Sequence, residues 1–171
     1  DPGKTPTPAG HWVHIAGDVL TARKATLADA AETYARLTLA MNDAFIAAWR
    51  SKYQINLLRP VTYVQLFIDS NWTPQLMNTP PFPEYPSGHS VQSAAAAAVL
   101  SKVLGAQTAF TDNAHNDRGW GPRTFPSFGA AAEEAALSRL YAGIHFRSAV
   151  VNGQAQGRCV AQRVLGLKTR Q

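Results

Sequence analysis

Apolar residues recur at spacings of three and four along several stretches of the chain, which is the pattern of helices that bury one face. The clearest stretch begins at Thr26, which can cap the free amides of the first turn with Asp29 as the acid of a capping box. Its core-facing positions are Leu27, Ala30, Ala31, Tyr34, Leu37, Met41, Ala44, Phe45 and Ala48. A long amphipathic helix is therefore predicted from residue 26 onward.

Four more segments have helical patterns. They cover about 51–69, 88–104, 130–142 and 147–166. Proline cannot continue a helix and restricts the residue before it, so Pro60 is expected to end or kink the first of these segments near Arg59.

The remaining segments are rich in proline, glycine and polar residues. Residues 1–25 are predicted to form an irregular lead-in before a helical domain over 26–171. Residues 70–86 contain five prolines and residues 105–129 are polar and aromatic, so both are predicted to be long loops. We find no strand-like alternation of useful length. The predicted fold class is all-α, a helical bundle with long loops at the active-site end, and loops of that length are usually functional.

Composition restricts the possible partners. The 171 residues correspond to one domain, and a formal net charge of +5 suits an anionic partner. The basic residues are dispersed along the chain, which does not indicate nucleic-acid binding. No segment approaches ~20 apolar residues, so no membrane span is predicted. The single cysteine, Cys159, cannot form an internal disulfide, and its helical context predicts a small buried side chain.

Lys52 and Arg59 form the first group of candidate binding residues. On one helix, residues seven apart lie two turns apart on the same face, about 10 Å along the axis. Both side chains are long enough to converge on one anion. Taken alone, the pair also fits two ordinary solvated cations.

The second group is Pro86-Ser87-Gly88-His89, at the predicted start of an alanine-rich helix. Unpaired amides and the helix dipole make such a start an anion site. Ser87 can donate its hydroxyl, Gly88 keeps the backbone amide accessible, and His89 can exchange a proton. A serine helix cap beside an incidental histidine explains the segment equally well.

The third group is Ser138-Arg139 followed by His145. On a continuous helix Arg139 and His145 would point about 120° apart. Gly143 is a natural helix end, which would place His145 on the turn into the last helix and allow it to share a pocket with Arg139. Taken alone, His145 also fits a helix-capping role.

In this order, the three groups resemble the signature of vanadium-dependent haloperoxidases, which share a superfamily with type 2 phosphatidic acid phosphatases and bacterial acid phosphatases. The resemblance extends from about residue 26 to residue 166. It implies a helical bundle with vanadate as cofactor, in a site that phosphate could also occupy. His145 would be the axial group, bound to vanadium in a haloperoxidase or phosphorylated in a phosphatase, and His89 the opposite acid–base group. The oxyanion would be held by Lys52, Arg59, Ser87, Gly88 and Arg139.

Two aromatic residues match positions beside the metal in vanadium chloroperoxidases. Trp49 and Phe82 would exclude water and help to desolvate a halide, although core packing explains them as well. They favour a haloperoxidase that oxidises halide with hydrogen peroxide. A phosphomonoesterase acting on a phosphate ester and a non-catalytic binder of phosphate or vanadate stay open as alternatives.

The chain departs from the family at one position. The family has an aspartate four residues after the axial histidine, where it orients the ring, but this chain has Ala149. A backbone carbonyl, Ser148 or Asn152 could hold the ring instead. The substitution predicts weakened nucleophilicity at His145, which would impair phosphatase turnover more than vanadate binding.

The segment Thr7 to Trp12 resembles an internal stretch of longer haloperoxidases that have a helical bundle upstream. The resemblance therefore implies that the chain is part of a longer protein, or that it associates with an upstream bundle or with a second copy of itself. It also implies a periplasmic or secreted location.

Overall fold

The computed structural model describes residues 7–76, 78–116 and 119–169. In that part of the chain the helices are α1 (Pro8–Ala22), α2 (Leu27–Ile55), α3 (Pro60–Phe67), α4 (Gly88–Leu104), α5 (Phe128–Tyr141) and α6 (Arg147–Leu165). The strands are β1 (Phe110–Asp112) and β2 (Arg123–Phe125). The all-α bundle is confirmed.

The prediction of an irregular lead-in over residues 1–25 is wrong for its described part. Pro8 stands at the first turn of α1 and Thr7 caps the helix, with its hydroxyl accepting the Gly10 amide at 3.1 Å. Proline is favoured at that position because the first helical amide has no partner within the helix. The core-facing residues of α1 are Trp12, Ile15, Ala16, Val19 and Leu20. Residues 1–6 of the predicted lead-in lie outside the described residues.

The helix predicted over 51–69 is divided. The first helix begins at its Thr26 cap, as predicted, but it continues through Lys52 to Ile55 and ends at Asn56, which adopts the left-handed conformation. A new helix, α3, starts after Arg59. Lys52 and Arg59 therefore do not lie on one face of a continuous helix, and that prediction is wrong.

Helix α4 lies at the centre of the bundle, and its small residues allow close approach by its neighbours. A β-carbon added to Gly157 in α6 would clash with the Val91 carbonyl oxygen, and one added to Gly153 would lie 3.0 Å from the Ser90 side chain. Glycine is thus required where α6 crosses α4. This close contact fixes the position along α4 at which α6 crosses it.

The two predicted loops differ from each other. The described residues of the first loop, 68–76 and 78–87, contain no helix or strand, and the loop leads directly into α4. The second loop contains an antiparallel hairpin, in which Phe110 pairs with Phe125. The expectation of no useful strand is wrong there, because the two strands have only three residues each and give no readable alternation. This loop joins the C-terminus of α4 to the N-terminus of α5, which are the helix ends opposite Gly88 and Arg139.

Two surface details also differ from expectation. Leu27 is exposed at the start of α2, and Cys159 is exposed on α6 rather than buried. Among the described residues, no helix combines the length and the apolarity that a bilayer crossing needs.

Candidate active site

Lys52 lies in the last turn of α2, and its side chain is fully buried. Its ammonium nitrogen lies 2.9, 3.0 and 2.6 Å from the carbonyl oxygens of Pro83, Glu84 and Pro86. An ammonium has three N–H donors, so this loop uses all of them. Burial, together with the charge of Arg59, lowers the pKa of Lys52 to about 7, and the Glu84 carboxylate opposes the decrease. Lys52 therefore fixes the loop and adds positive charge beside it.

Arg59 caps α3 and is 6% exposed. Its Nε donates to the Phe82 carbonyl oxygen at 2.9 Å, and its Nη1 donates to the Ile144 carbonyl oxygen at 2.8 Å and lies 3.2 Å from His145 Nε2. Burial lowers the pKa of Arg59. Its Nη2 is buried and has no hydrogen-bond partner among the described residues. A buried guanidinium nitrogen with an unused donor suits an anion that the protein itself does not supply.

The start of α4 is built as an anion site requires. Ser87 caps the helix and is fully buried. Its Oγ accepts the Ser90 amide at 3.4 Å and the Ser90 hydroxyl at 2.8 Å, which leaves its own proton to donate. A β-carbon on Gly88 would lie 3.1 Å from the Trp49 ring, so only glycine fits beside that aromatic side chain without displacing it.

The two predicted aromatic residues form one wall of the site. The ring centroids of Trp49 and Phe82 lie 5.1 Å apart, and Phe45 stacks on Trp49 at 3.8 Å. The Lys52 ammonium lies 5.2 Å from the Phe82 ring centroid, and the Arg59 guanidinium carbon lies 5.0 Å from it. Both cations are therefore within cation–π range of the same ring. Trp49 and Phe82 accordingly lie beside the charged groups, and Trp49 also packs against the hydrophobic core.

The pKa of His89 responds to three of the other predicted site residues. Burial lowers its pKa to about 3, with further lowering from the positive charges of Arg139, His145 and Lys52. Arg139 is in the last turn of α5, where its Nε donates to Ser138 Oγ at 3.0 Å and where burial lowers its pKa. Arg139, His145 and Lys52 therefore all act electrostatically on His89.

His145 lies on the turn between α5 and α6, after Gly143 in the left-handed conformation, as predicted. Its Nδ1 lies 2.7 Å from Glu84 Oε1, and the same oxygen accepts the Phe146 amide at 3.0 Å. Burial lowers the pKa of His145, and the hydrogen bond to Glu84 opposes this.

Glu84 was missed by the sequence analysis, which expected a carbonyl, Ser148 or Asn152 to hold the His145 ring. Both of those side chains belong to exposed residues of α6. The premise that His145 lacks a carboxylate is therefore wrong, because the acid comes from the proline-rich loop and not from position 149. The available signal was a lone acid in an otherwise apolar segment two residues before Pro86.

Residues 64–171 match a family model described as the VCPO second helical-bundle domain, which is more than half of the chain. The chain belongs to the vanadium haloperoxidase family. A search of curated proteins found no match.

Solved structures agree with this membership. A bacterial vanadium-dependent iodoperoxidase is 45% identical with a TM-score of 0.90, and the match covers 93% of this vanadium haloperoxidase chain and 38% of that protein. A bacterial vanadium-dependent chloroperoxidase in its holo form is 17% identical with a TM-score of 0.71, covering 92% of this chain and 40% of that one. The second likeness shows the fold alone. The chain spans well under half the length of both relatives.

Proposed function

We propose that this chain forms the vanadate-binding site of a haloperoxidase that oxidises halide with hydrogen peroxide. The observation that supports it most is the buried Arg59 guanidinium, because its Nη1 lies 3.2 Å from His145 Nε2 while its Nη2 has no hydrogen-bond partner among the described residues. The iodoperoxidase that is 45% identical makes iodide the first halide to test.

The residues present fit vanadate. Three groups could donate hydrogen bonds to an oxyanion at the start of α4. They are Arg59 Nη2, which has no hydrogen-bond partner among the described residues, the Ser87 hydroxyl and the Gly88 backbone amide. Arg59, Arg139, Ser87 and Gly88 would hold the oxygens, and His145 Nε2 would bind the metal. Lys52 would contribute charge and hold the loop. Bound vanadate would supply the centre at which peroxide is activated toward halide.

The other side chains prepare the site for that chemistry. Burial and the neighbouring cations lower the pKa of His89 to about 3, so the ring is neutral at ordinary pH but is a weak base while the site holds no anion. The negative charge of a bound oxyanion would raise that pKa toward the range in which His89 could take a proton from hydrogen peroxide. Trp49 and Phe82 present apolar surface beside the cations, which lowers the cost of removing water from a halide.

The experiment is iodide oxidation by hydrogen peroxide, measured with and without added vanadate. We expect activity only with vanadate, and we expect His145→Ala to abolish it while Arg147→Ala, an exposed neighbour, retains it. Activity that is indifferent to vanadate, or a fully active His145→Ala protein, would refute the proposal.

The pair formed by Glu84 and His145 supports a second candidate, a phosphomonoesterase, because a carboxylate behind an imidazole also suits a nucleophilic histidine. Hydrolysis of p-nitrophenyl phosphate that vanadate inhibits, without halide oxidation, would favour it. Anion binding with neither activity would leave a non-catalytic binder.

A further inference from the structure

We infer that Glu84 is the positioning residue of His145, and that it does from the proline-rich loop what an aspartate at position 149 does in the family that this sequence resembles. The inference deepens the proposed function and rests on it for the role of His145 Nε2. The geometry of the ring itself, however, can be tested without vanadate.

Two contacts on opposite sides of the ring specify the same tautomer. An arginine only donates hydrogen bonds, so His145 Nε2, 3.2 Å from Arg59 Nη1, must be the acceptor nitrogen. The proton of the neutral ring then lies on Nδ1, where the Glu84 carboxylate accepts it at 2.7 Å. The pair therefore keeps a lone pair on Nε2, and that nitrogen could bind a metal once Arg59 Nη1 releases it.

Glu84 is itself held in place on several sides. Its side chain is fully buried, and its amide donates to the Leu57 carbonyl oxygen at 2.9 Å. Its own carbonyl oxygen receives the Lys52 ammonium at 3.0 Å, and its carboxylate receives the Phe146 amide at 3.0 Å. These bonds to separate segments allow the carboxylate little freedom to rotate away from His145.

Two cations act on the Glu84 carboxylate. Lys52 and Arg59 both interact electrostatically with it, which offsets part of the cost of burying a carboxylate. Its Oε2 is buried with no hydrogen-bond partner among the described residues. The hydrogen bonds of the carboxylate to described residues are therefore all made by Oε1, which contacts the His145 ring and the Phe146 amide.

The position where the family has its acid holds a small buried side chain in this protein. Ala149 is fully buried in the first turn of α6, and its carbonyl oxygen accepts the Ser87 amide at 3.1 Å. The glutamate reaches His145 from the side of α2 and α3 instead. The same function is thus supplied by a different segment of the chain.

The first test is the tautomer of His145 in the vanadate-free protein, measured by long-range proton–nitrogen NMR on ¹⁵N-histidine-labelled protein at pH 7.5. We expect the Nδ1-protonated form in the native chain and, because Arg59 still faces Nε2, a measurably smaller Nδ1-protonated fraction in Glu84→Leu, which has similar volume and no acceptor. An Nε2-protonated ring in the native chain, or an unchanged tautomer in Glu84→Leu, would overturn the inference.

The second test is the dissociation constant of vanadate, measured by equilibrium dialysis. Loss of a partner behind a metal ligand commonly weakens binding by about 10- to 100-fold, and we expect a weakening in that range for Glu84→Gln. Glu134→Gln removes an equal charge from an exposed residue and serves as the matched control, with no expected change. Equal affinities of Glu84→Gln and the native chain would contradict the assignment.

Rescue separates positioning from simple packing. Adding Ala149→Asp to Glu84→Gln returns a carboxylate to the position where the family has one, and we expect it to recover at least part of the lost affinity and the Nδ1-protonated form. If the double variant folds and recovers neither, Glu84 acts only through packing. A native chain that shows the expected tautomer but never binds vanadate would refute the proposed function and leave the Glu84 contact established.

Discussion

The two long loops of this bundle are held in place in opposite ways. The loop that precedes α4 has no helix or strand in its described residues, and buried side chains of other segments, Lys52 and Arg59, bind its carbonyl groups. The loop that precedes α5 is held by its own hairpin and by Phe110, which stacks on Phe128 at 5.1 Å. One conformation depends on buried charge, and the other depends on local pairing and apolar contact.

Only in the first loop do the same residues determine both the conformation of the loop and the predicted chemistry of the site. The cations that fix it are also predicted oxyanion-binding residues, so a change in either one alters the loop and the charge of the site together. The second loop can be altered without a direct effect on those charges. The comparison therefore separates substitutions that should affect the site from substitutions that should affect stability alone.

The largest effect is expected for Lys52→Met. It leaves three loop carbonyls without their donor and removes a charge, so we expect vanadate affinity to fall by at least about 100-fold and the free energy of unfolding to fall by about 3 kcal/mol. Dialysis and urea denaturation measure the two quantities. Lys102→Met, in an exposed position of α4, is the control and should change stability by less than about 0.5 kcal/mol.

The pH dependence of the free energy of unfolding should reveal the lowered pKa of Lys52. Folding lowers the pKa of Lys52 from 10.5 to about 7, so between those values the unfolded chain binds more protons than the folded one. The free energy of unfolding should therefore rise with pH from 7 to about 9, by at most about 1.4 kcal/mol per pH unit from this group. Lys52→Met should have a flatter profile over that range. Parallel profiles would show that Lys52 titrates normally.

A smaller effect is expected in the second loop for Asp112→Asn. The Asp112 carboxylate lies 2.6 Å from His11 Nε2 and joins the hairpin to α1. We expect a loss of about 1 kcal/mol in unfolding free energy, since a hydrogen bond to a charged group is weakened rather than removed. Vanadate affinity should stay within twofold of the native value, and a tenfold change would contradict the proposed separation of the loops.

The smallest effect is expected for Trp120→Ala, also in the second loop. Trp120 is 67% exposed and contacts the His115 ring at 5.1 Å. Stability should change by less than about 0.5 kcal/mol by thermal denaturation, and vanadate affinity should not change. A marked loss of affinity would place this loop beside the anion.

The sequence predicted the bundle because each helix carries its own periodic pattern and cap, as Thr26 and Ser87 illustrate. It did not predict α1, since Pro8 and Gly10 were interpreted as breakers although Pro8 starts the helix. The division between Lys52 and Arg59 depends on Asn56 adopting the left-handed conformation, which no spacing rule reveals.

The sequence predicted candidate site residues, but it did not predict the residues and hydrogen bonds that hold them in place. Histidine, arginine and serine in the three motifs have recognisable chemistry, and Arg139, His145 and Lys52 each lower the pKa of His89. Glu84 was missed because the contact joins positions 61 residues apart, and such a pair has no periodic signal. No sequence pattern predicts that loop carbonyls accept all three N–H donors of Lys52.

The crossing of α6 over α4 at Gly157 has a consequence for any mutational scan of this protein. Even a single added methyl group there would meet the Val91 carbonyl and force the two helices apart. Helix α4 begins after the Ser87 cap and α6 follows His145, so widening the crossing would move these two residues apart. Gly157 should therefore score among the least tolerant positions in the chain, and its intolerance would reflect the alignment of the two helices rather than chemistry.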